Sequence, residues 1–191
     1  MNKSLRKNHE SMWLRDKWVL SFCLIFAFVL FGNGISGDFV FDDHFVITGN
    51  PLVDNPDNLI KIWTSPYHFQ QPETGLYRPA PLFTYSLNKI IFGDSPISFH
   101  IVNIILHALT SFFLFKFLSF FVDRKTSFVS AMIFMFLPIH VEAVTSIIGR
   151  AEILASLFVL LALIKAIEGR YLWSFGYFFI ALMSKEVAVA F

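Results

Sequence analysis

Apolar residues gather into about five runs along the chain, and the lengths of these runs predict helices that enter a membrane. The first two runs, 18–36 and 97–122, match the ~20 residues that a membrane-spanning helix needs. Three shorter runs follow within 123–191 and flank polar segments, which predicts polar groups held in a protein-lined recess rather than in lipid. The pattern therefore predicts an all-α polytopic membrane protein.

A polar segment, 37–96, separates the first two runs and predicts a large loop with structure of its own. Its Asn-Pro and Ser-Pro pairs indicate turns. Pro81 and Gly93 bracket a mainly apolar stretch, so we predict a helix over 82–92. Leu82, Phe83, Leu87, Ile90 and Ile91 are apolar whereas Asn88 and Lys89 are polar, which favours an amphipathic helix lying along the membrane surface.

Composition supports a membrane protein. Hydrophobic residues make up 55% of the chain and charged residues 15%, whereas soluble domains carry about 45–50% and about 25%. The net charge of +1 gives no indication of a nucleic-acid partner. The single cysteine, Cys23, lies in the first apolar run and cannot form an internal disulfide.

The distribution of charge predicts an orientation. Segment 1–17 has five basic residues against two acidic ones, which places the N-terminus in the cytoplasm. Segment 37–96 has three basic residues against seven acidic ones, which places this loop outside the cytoplasm. A cleaved signal peptide is the alternative for the first run, although the run is longer than the usual apolar region. Both interpretations leave the loop outside.

Two adjacent carboxylates, Asp42 and Asp43, begin this loop between apolar triplets. The apolar neighbours favour an ordered, partly buried segment, and burial raises a carboxyl pKa and makes the group a better base. The pair could also hold a metal ion, or be two solvated loop acids.

Polar residues on the second long run recur at steps of three, four and three: His100, Asn103, His107 and Thr110. This spacing places them on one face of a helix. His107 lies about 15 Å along that helix, near the middle of the bilayer. A water-filled cavity and a hydrogen-bonded seam between helices both explain such a face, and we favour the seam for His107.

Two basic residues, Arg150 and Lys185, are predicted near the outer face and break the charge rule for the other loops. Arg150 lies close in sequence to Glu142 and Glu152. An internal ion pair with one of these acids is one explanation, and an anion site for phosphate or carboxylate is the other.

Five segments resemble one protein family in order and spacing: FDDHFVITGNPLV, YRPAPLFTYSLN, FHIVNIILHAL, PIHVEAVTSIIGRAEIL and LMSKE. The chain resembles the transmembrane and tetratricopeptide-repeat O-mannosyltransferase family and its bacterial relatives, of the GT-C class. The resemblance implies the N-terminal part of a GT-C-like helix bundle. It also implies an inverting enzyme that transfers a hexose, mannose or a similar sugar, from a polyprenyl-phosphate donor in the membrane lipid. The acceptor would be a protein Ser or Thr hydroxyl.

The resemblance also assigns residues. It casts Asp42, in preference to the neighbouring Asp43, as the catalytic base. It also places the site on the extracytoplasmic side of the bacterial inner membrane or, in a eukaryote, of the endoplasmic reticulum membrane. Candidates for contacts with the donor phosphate are Arg78, Arg150 and Lys185. Residues expected to support or orient the substrates are His100, His140, Glu142, Glu152 and Glu186.

Two departures from the family pattern affect the prediction. Phe41 stands where many relatives have Tyr, and the family's later helices and repeats are not in these 191 residues. Activity of this chain alone is therefore in question, and a non-catalytic scaffold or lipid-phosphate-binding relative is the main alternative. A small transporter would use His107 but does not account for the large loop. Mg²⁺ or Mn²⁺ at the Asp pair stays open, because no further acidic cluster completes an oxygen-ligand site.

Overall fold

A computed structural model describes residues 15–190, and this part of the chain contains helices, turns and loops without a strand. The predicted cytoplasmic segment, 1–17, lies mostly outside the described residues. The α-helices are α1 (Asp16–Phe31), α2 (Pro51–Asp54), α3 (Pro79–Phe92), α4 (Pro96–Leu118), α5 (Arg124–Phe136), α6 (His140–Thr145), α7 (Arg150–Ile167) and α8 (Tyr171–Ser184).

Two of these helices are long and apolar enough to cross a membrane. One is α1 with its 3₁₀ continuation, Asp16–Ser36, and the other is α4, with mean hydropathies of 2.1 and 1.9. Helix α7 has 18 residues but carries three charges, and α5 and α8 are shorter. Helices thus form in all five predicted runs, while membrane crossing by the last three stays a prediction.

Helix α4 lies at the centre of the fold, between α1, α5 and α7. Helix α1 turns one face toward it, formed by residues four apart: Val19, Cys23, Ala27 and Phe31. Small residues such as Ala27 and Ala108 let the two backbones approach closely, which favours helix packing in membranes. Helices α7 and α8 form a hairpin, turned by Gly169 at a φ of +73°.

The loop between α1 and α4 is folded around its own apolar cluster. Buried side chains from the loop, α3, α4 and the α6–α7 link pack together: Val46, Ile47, Leu52, Val53, Ile62, Tyr67, Leu82, Tyr85, Phe99 and Ile147. This cluster fixes the loop against the ends of α4 and α7. The loop therefore has the means to hold functional side chains in place.

Helix α3 begins three residues earlier than predicted, at Pro79. Both prolines fit because the first turn of a helix has no internal partners for its N–H groups. Its buried face includes Leu82 and Tyr85, whereas Ile91 and Phe92 are exposed at its end. A position along the membrane surface stays a prediction.

The link between α6 and α7 has no room for a side chain at Gly149. A Cβ placed there would lie 2.3 Å from the carbonyl oxygen of Ala143, which is backbone and cannot turn away. We expect Gly149→Ala to lower the free energy of unfolding by about 1–3 kcal/mol, as overpacking does. Gly176→Ala is the control, because nothing lies within 4 Å of its Cβ position in α8, and it should stabilise by about 0.5–1 kcal/mol. Thermal unfolding of the chain in detergent measures both, and equal midpoints for the two variants would contradict the packing described.

Candidate active site

A polar cleft of about 180 Å³ opens where the folded loop meets the first turns of α6 and α7. Five residues predicted from the sequence line it together: Asp42, Arg78, Glu142, Glu152 and Lys185. Residues that the sequence did not single out also line it, among them Tyr67, His68 and Ser146. Tyr67 and His68 come from irregular loop structure, where no periodic pattern could indicate their direction.

The two adjacent acids point to different places. Asp43 is 1% exposed, and its two carboxylate oxygens accept the backbone N–H groups of Val40 at 3.0 Å and Ile148 at 3.1 Å. Burial raises the pKa of the Asp43 carboxyl. Asp42 is exposed and lines the cleft. Asp43 thus ties the loop to the α6–α7 link, and Asp42 is the carboxylate that faces the cleft.

Backbone strain accompanies this pair. Phe41 has a φ of +46°, a left-handed conformation that is uncommon for any residue except glycine, and its side chain is 88% exposed. Such conformations persist only where the surrounding structure imposes them. Two hydrogen bonds supply that constraint: the Val40 N–H donates to Asp43 Oδ2, and the Asp43 N–H donates to the Val40 carbonyl. They close a turn that contains Phe41 and Asp42.

The Asp pair does not fit a divalent metal site. Both carboxylate oxygens of Asp43 already accept backbone N–H groups. Within residues 15–190, no three His, Cys, Asp or Glu side chains stand close enough to hold an ion. Mg²⁺ takes six ligands in near-octahedral geometry and Ca²⁺ six to eight, so these residues supply no basis for a step through a metal.

Arg78 lies at the cleft with its charge fixed from two sides. Its Nε donates to Glu186 Oε2 at 2.8 Å, its Nη2 donates to Glu186 Oε1, and its guanidinium lies 5.3 Å from the ring centre of Tyr67. The hydrogen bonds to Glu186 raise the pKa of Arg78, and Arg78 lowers the pKa of Glu186 to about 2. Burial raises the pKa of Tyr67 to about 12, so its phenol stays protonated.

The second cation of the cleft is paired as well. Lys185 Nζ donates to Glu152 Oε1, which joins the end of α8 to the first turn of α7. Sequence proximity suggested Arg150 as the partner of Glu152, but the fold brings Lys185 there instead. Arg78 and Lys185, the two cations that line the cleft, are therefore each paired with one carboxylate.

Arg150 does not line the cleft, and its bonds go to neutral acceptors, which corrects the ion pair predicted for it. Its side chain is fully buried, and its donors bond Asn103 Oδ1 at 2.8 Å, Asn88 Oδ1 and the Phe99 carbonyl at 3.1 Å, and the Thr84 carbonyl at 3.3 Å. The guanidinium also lies 4.7 Å from the ring centre of Tyr85. Neutral oxygens and an aromatic ring therefore hold this charge, and neither Glu142 nor Glu152 pairs with it.

The polar face of α4 forms the predicted seam in part. Asn103 Nδ2 donates to the carbonyls of Ser146 at 3.0 Å and Ile147 at 3.2 Å, which bonds α4 to the α6–α7 link. His100 is buried beneath Gly37, where a Cβ would lie 3.2 Å from His100 Nε2, and it does not line the cleft.

A second cavity, of about 250 Å³, contains His107 and His140. The ring centres of His107 and His140 lie 5.2 Å apart, and the Nε2 atoms of both are buried without a hydrogen-bond partner. Ala143 and Glu152 line both this cavity and the cleft. His140 thus lies beside the cleft instead of within it.

An apolar groove of about 290 Å³ adjoins the histidine cavity and shares Thr110, Phe134 and Ser156 with it. Its other lining residues are Leu114, Phe117, Ala155, Val159, Leu160, Leu163, Val187 and Ala188. Cleft, histidine cavity and groove therefore adjoin one another through shared lining residues, and we call this series from charged to apolar groups the path.

The bonds of Arg150 predict its effect on stability. Lys at this position carries the charge but cannot reach four acceptors as a planar fork does, so buried oxygens lose their partners. We expect Arg150→Lys to lower the free energy of unfolding by at least about 3 kcal/mol. Arg170→Lys is the control on a largely exposed side chain, with an expected change within about 0.5 kcal/mol. Thermal unfolding in detergent measures both. An unchanged midpoint for Arg150→Lys, with lost affinity for a lipid phosphate, would restore Arg150 as a phosphate contact.

Comparison with known proteins gives three informative relatives. The human protein O-mannosyl-transferase TMTC3 is 34% identical over 139 residues, which cover 70% of this chain and 15% of that protein. Human protein O-mannosyl-transferase TMTC1 is 37% identical over 143 residues, 71% of this chain and 16% of its own. A Caenorhabditis elegans protein O-mannosyl-transferase is 31% identical over 180 residues, 88% of this chain and 25% of its own.

No family model and no solved structure matches the chain. The chain spans about 15–25% of the length of the relatives it matches. The matches nevertheless agree with the five resembling segments. In its sequence, the chain belongs to the family of the TMTC protein O-mannosyl-transferases.

Proposed function

We propose that this chain forms the catalytic front of a GT-C-type inverting glycosyltransferase. It takes a hexose, mannose by analogy with its relatives, from a polyprenyl-phosphate donor and transfers it to a protein Ser or Thr hydroxyl. One observation carries the proposal: the exposed carboxylate of Asp42 shares a cleft with two cations, Arg78 and Lys185, at the end of a path that becomes apolar.

Asp42 acts as the general base. It takes the proton of the acceptor hydroxyl while the oxygen attacks C1 of the sugar, and a positioned base contributes about 10²–10⁴-fold to such a step. The C1–oxygen bond to phosphate breaks, its electron pair stays on the phosphate, and the configuration at C1 is inverted. Asp43 is a positioning residue, since its carboxylate is spent on the N–H groups of Val40 and Ile148.

Arg78 and Lys185 stabilise the leaving phosphate. Negative charge grows on the phosphate as the bond breaks, and preorganised cations lower the barrier most where charge develops. The Arg78 fork matches two phosphate oxygens, and Lys185 adds a point charge across the cleft. Arg150 supports the position of the cleft residues on α7, because it bonds α3 and α4 to the start of that helix.

The path from cleft to groove suits a donor with a charged head and an isoprenoid tail. The phosphate occupies the cleft, the first isoprene units pass His107, Phe134 and His140, and the tail continues along the groove. These aromatic and imidazole faces offer contacts for the double bonds of the tail. A nucleotide-linked sugar would leave the apolar groove without an occupant.

We place the cleft on the extracytoplasmic side, with the N-terminus in the cytoplasm and further membrane crossings by α5, α7 and α8. The scarcity of Lys and Arg in the loop, three in segment 37–96, supports this orientation. In the same arrangement, the exposed apolar end of α3 lies at the membrane surface. A non-catalytic protein that only binds lipid phosphate would use the same cations, but would have no use for Asp42.

The Asp42 carboxylate separates these two functions. We expect Asp42→Asn to reduce transfer of mannose from dolichyl-phosphate mannose to a Ser/Thr peptide by at least about 100-fold in membranes, because Asn cannot take the proton. Asp57→Asn is the control, an exposed acid of the same loop outside the cleft, and it should leave the rate unchanged. Equal rates for wild type and Asp42→Asn, at equal protein abundance, would rule out the assigned base.

A further inference from the structure

The two cations of the cleft are already occupied by carboxylates of the same chain. Arg78 holds Glu186 through two hydrogen bonds, and Lys185 holds Glu152. A phosphate that enters the cleft must therefore replace an internal anion, not fill an empty cation site. The identity of that anion then affects how tightly phosphate binds.

The Arg78–Glu186 pair is unequal in how firmly its members are held. The Arg78 side chain is 15% exposed and lies against the ring of Tyr67, whereas the Glu186 side chain is 61% exposed. The cation is therefore a fixed part of the cleft. The carboxylate can rotate into water, where its charge is solvated at little cost.

Glu186 also belongs to a segment that contributes residues to both ends of the path, the cleft and the apolar groove. Lys185 lines the cleft, and Val187 and Ala188 line the apolar groove. The segment follows the end of α8 and forms a short 3₁₀ turn, Glu186–Ala190. A lipid phosphate that displaces Glu186 thus meets the same segment with both its head and its tail.

Charge favours exchange at this position over the course of the reaction. A polyprenyl-phosphate sugar is a phosphodiester with one negative charge, equal to the carboxylate of Glu186. Transfer of the sugar leaves a phosphate monoester, whose second pKa near 6 gives it about −1.5 to −2 at neutral pH. Arg78 then holds the product more strongly than the donor, and a competitor for the Arg78 fork favours release of the product.

We propose that Glu186 is this competitor: it occupies the Arg78 fork between turnovers, yields it to the donor phosphate, and returns to displace the polyprenyl-phosphate product. The inference rests on the proposed function and gives the site a built-in means of product release. Glu152 plays the same part, more weakly, at Lys185, since a Lys ammonium lacks the fork geometry.

Binding of farnesyl phosphate to the full chain in detergent tests the inference, with binding measured by calorimetry. We expect Glu186→Gln to lower the dissociation constant about tenfold, a change of about 1.4 kcal/mol, because the neutral amide no longer competes for Arg78. Glu152→Gln should lower it by a smaller factor, and Arg78→Gln should raise it. Glu168→Gln is the matched control, since it removes an ion pair with Lys165 at the far end of α7, and it should leave the constant unchanged.

Inorganic phosphate is the second probe and separates a lipid headgroup from a free anion. Farnesyl phosphate should bind wild type more tightly than inorganic phosphate does, because only the former fills the groove. In one outcome, neither Glu186→Gln nor Glu152→Gln binds farnesyl phosphate more tightly than wild type does, while Arg78→Gln abolishes binding. That result would overturn the competitor role of Glu186 and leave the proposed function standing. Failure of every variant and wild type to bind farnesyl phosphate would overturn both.

Discussion

The Arg150 guanidinium is a positive charge withdrawn from water at the point where three helices meet. Burying such a charge costs several kcal/mol unless its donors are satisfied, and here oxygens of α3 and α4 satisfy them. Because Arg150 is the first residue of α7, these bonds fix where α7 begins. The side chains of the first turn of α7, including Glu152, take their positions from this contact.

A second buried polar group, the Asp43 carboxylate, fixes the side of the cleft that the loop forms. Asp43 bonds Ile148, two residues before Arg150, so the acidic loop and α7 are held against the same short link. Gly149 in that link lies so close to the Ala143 carbonyl of α6 that no side chain would fit between them. The loop, the link and the start of α7 are thus coupled. Asp42 lines the cleft with the two cations because Asp43 holds its segment against the link.

The sequence predicted the helical class and the two long apolar helices, and the family resemblance singled out Asp42, Arg78, Glu142, Glu152 and Lys185, which line one cleft. Periodicity and motif order carried these predictions. The role of Arg150 was not predictable, because its partners, Asn88, Asn103 and two carbonyls, lie about 50 residues away or more. The ion pairs were misassigned for a similar reason, since Lys185 and Glu186 return to the cleft only through the α7–α8 hairpin. The inward direction of Asp43 depends on backbone geometry that adjacent residue types do not encode.

A lipid donor bound along the path places its phosphate at Arg78 and its tail in the groove. Photo-crosslinking with a polyprenyl phosphate that carries a diazirine near its first isoprene unit, followed by mass spectrometry of the adducts, tests this most directly. We expect adducts in the histidine cavity and groove, at Phe134, Ser156 or Val187, and we expect Arg78→Gln to abolish them. Adducts confined to the exposed faces of α3 or α8, unchanged in Arg78→Gln, would contradict it.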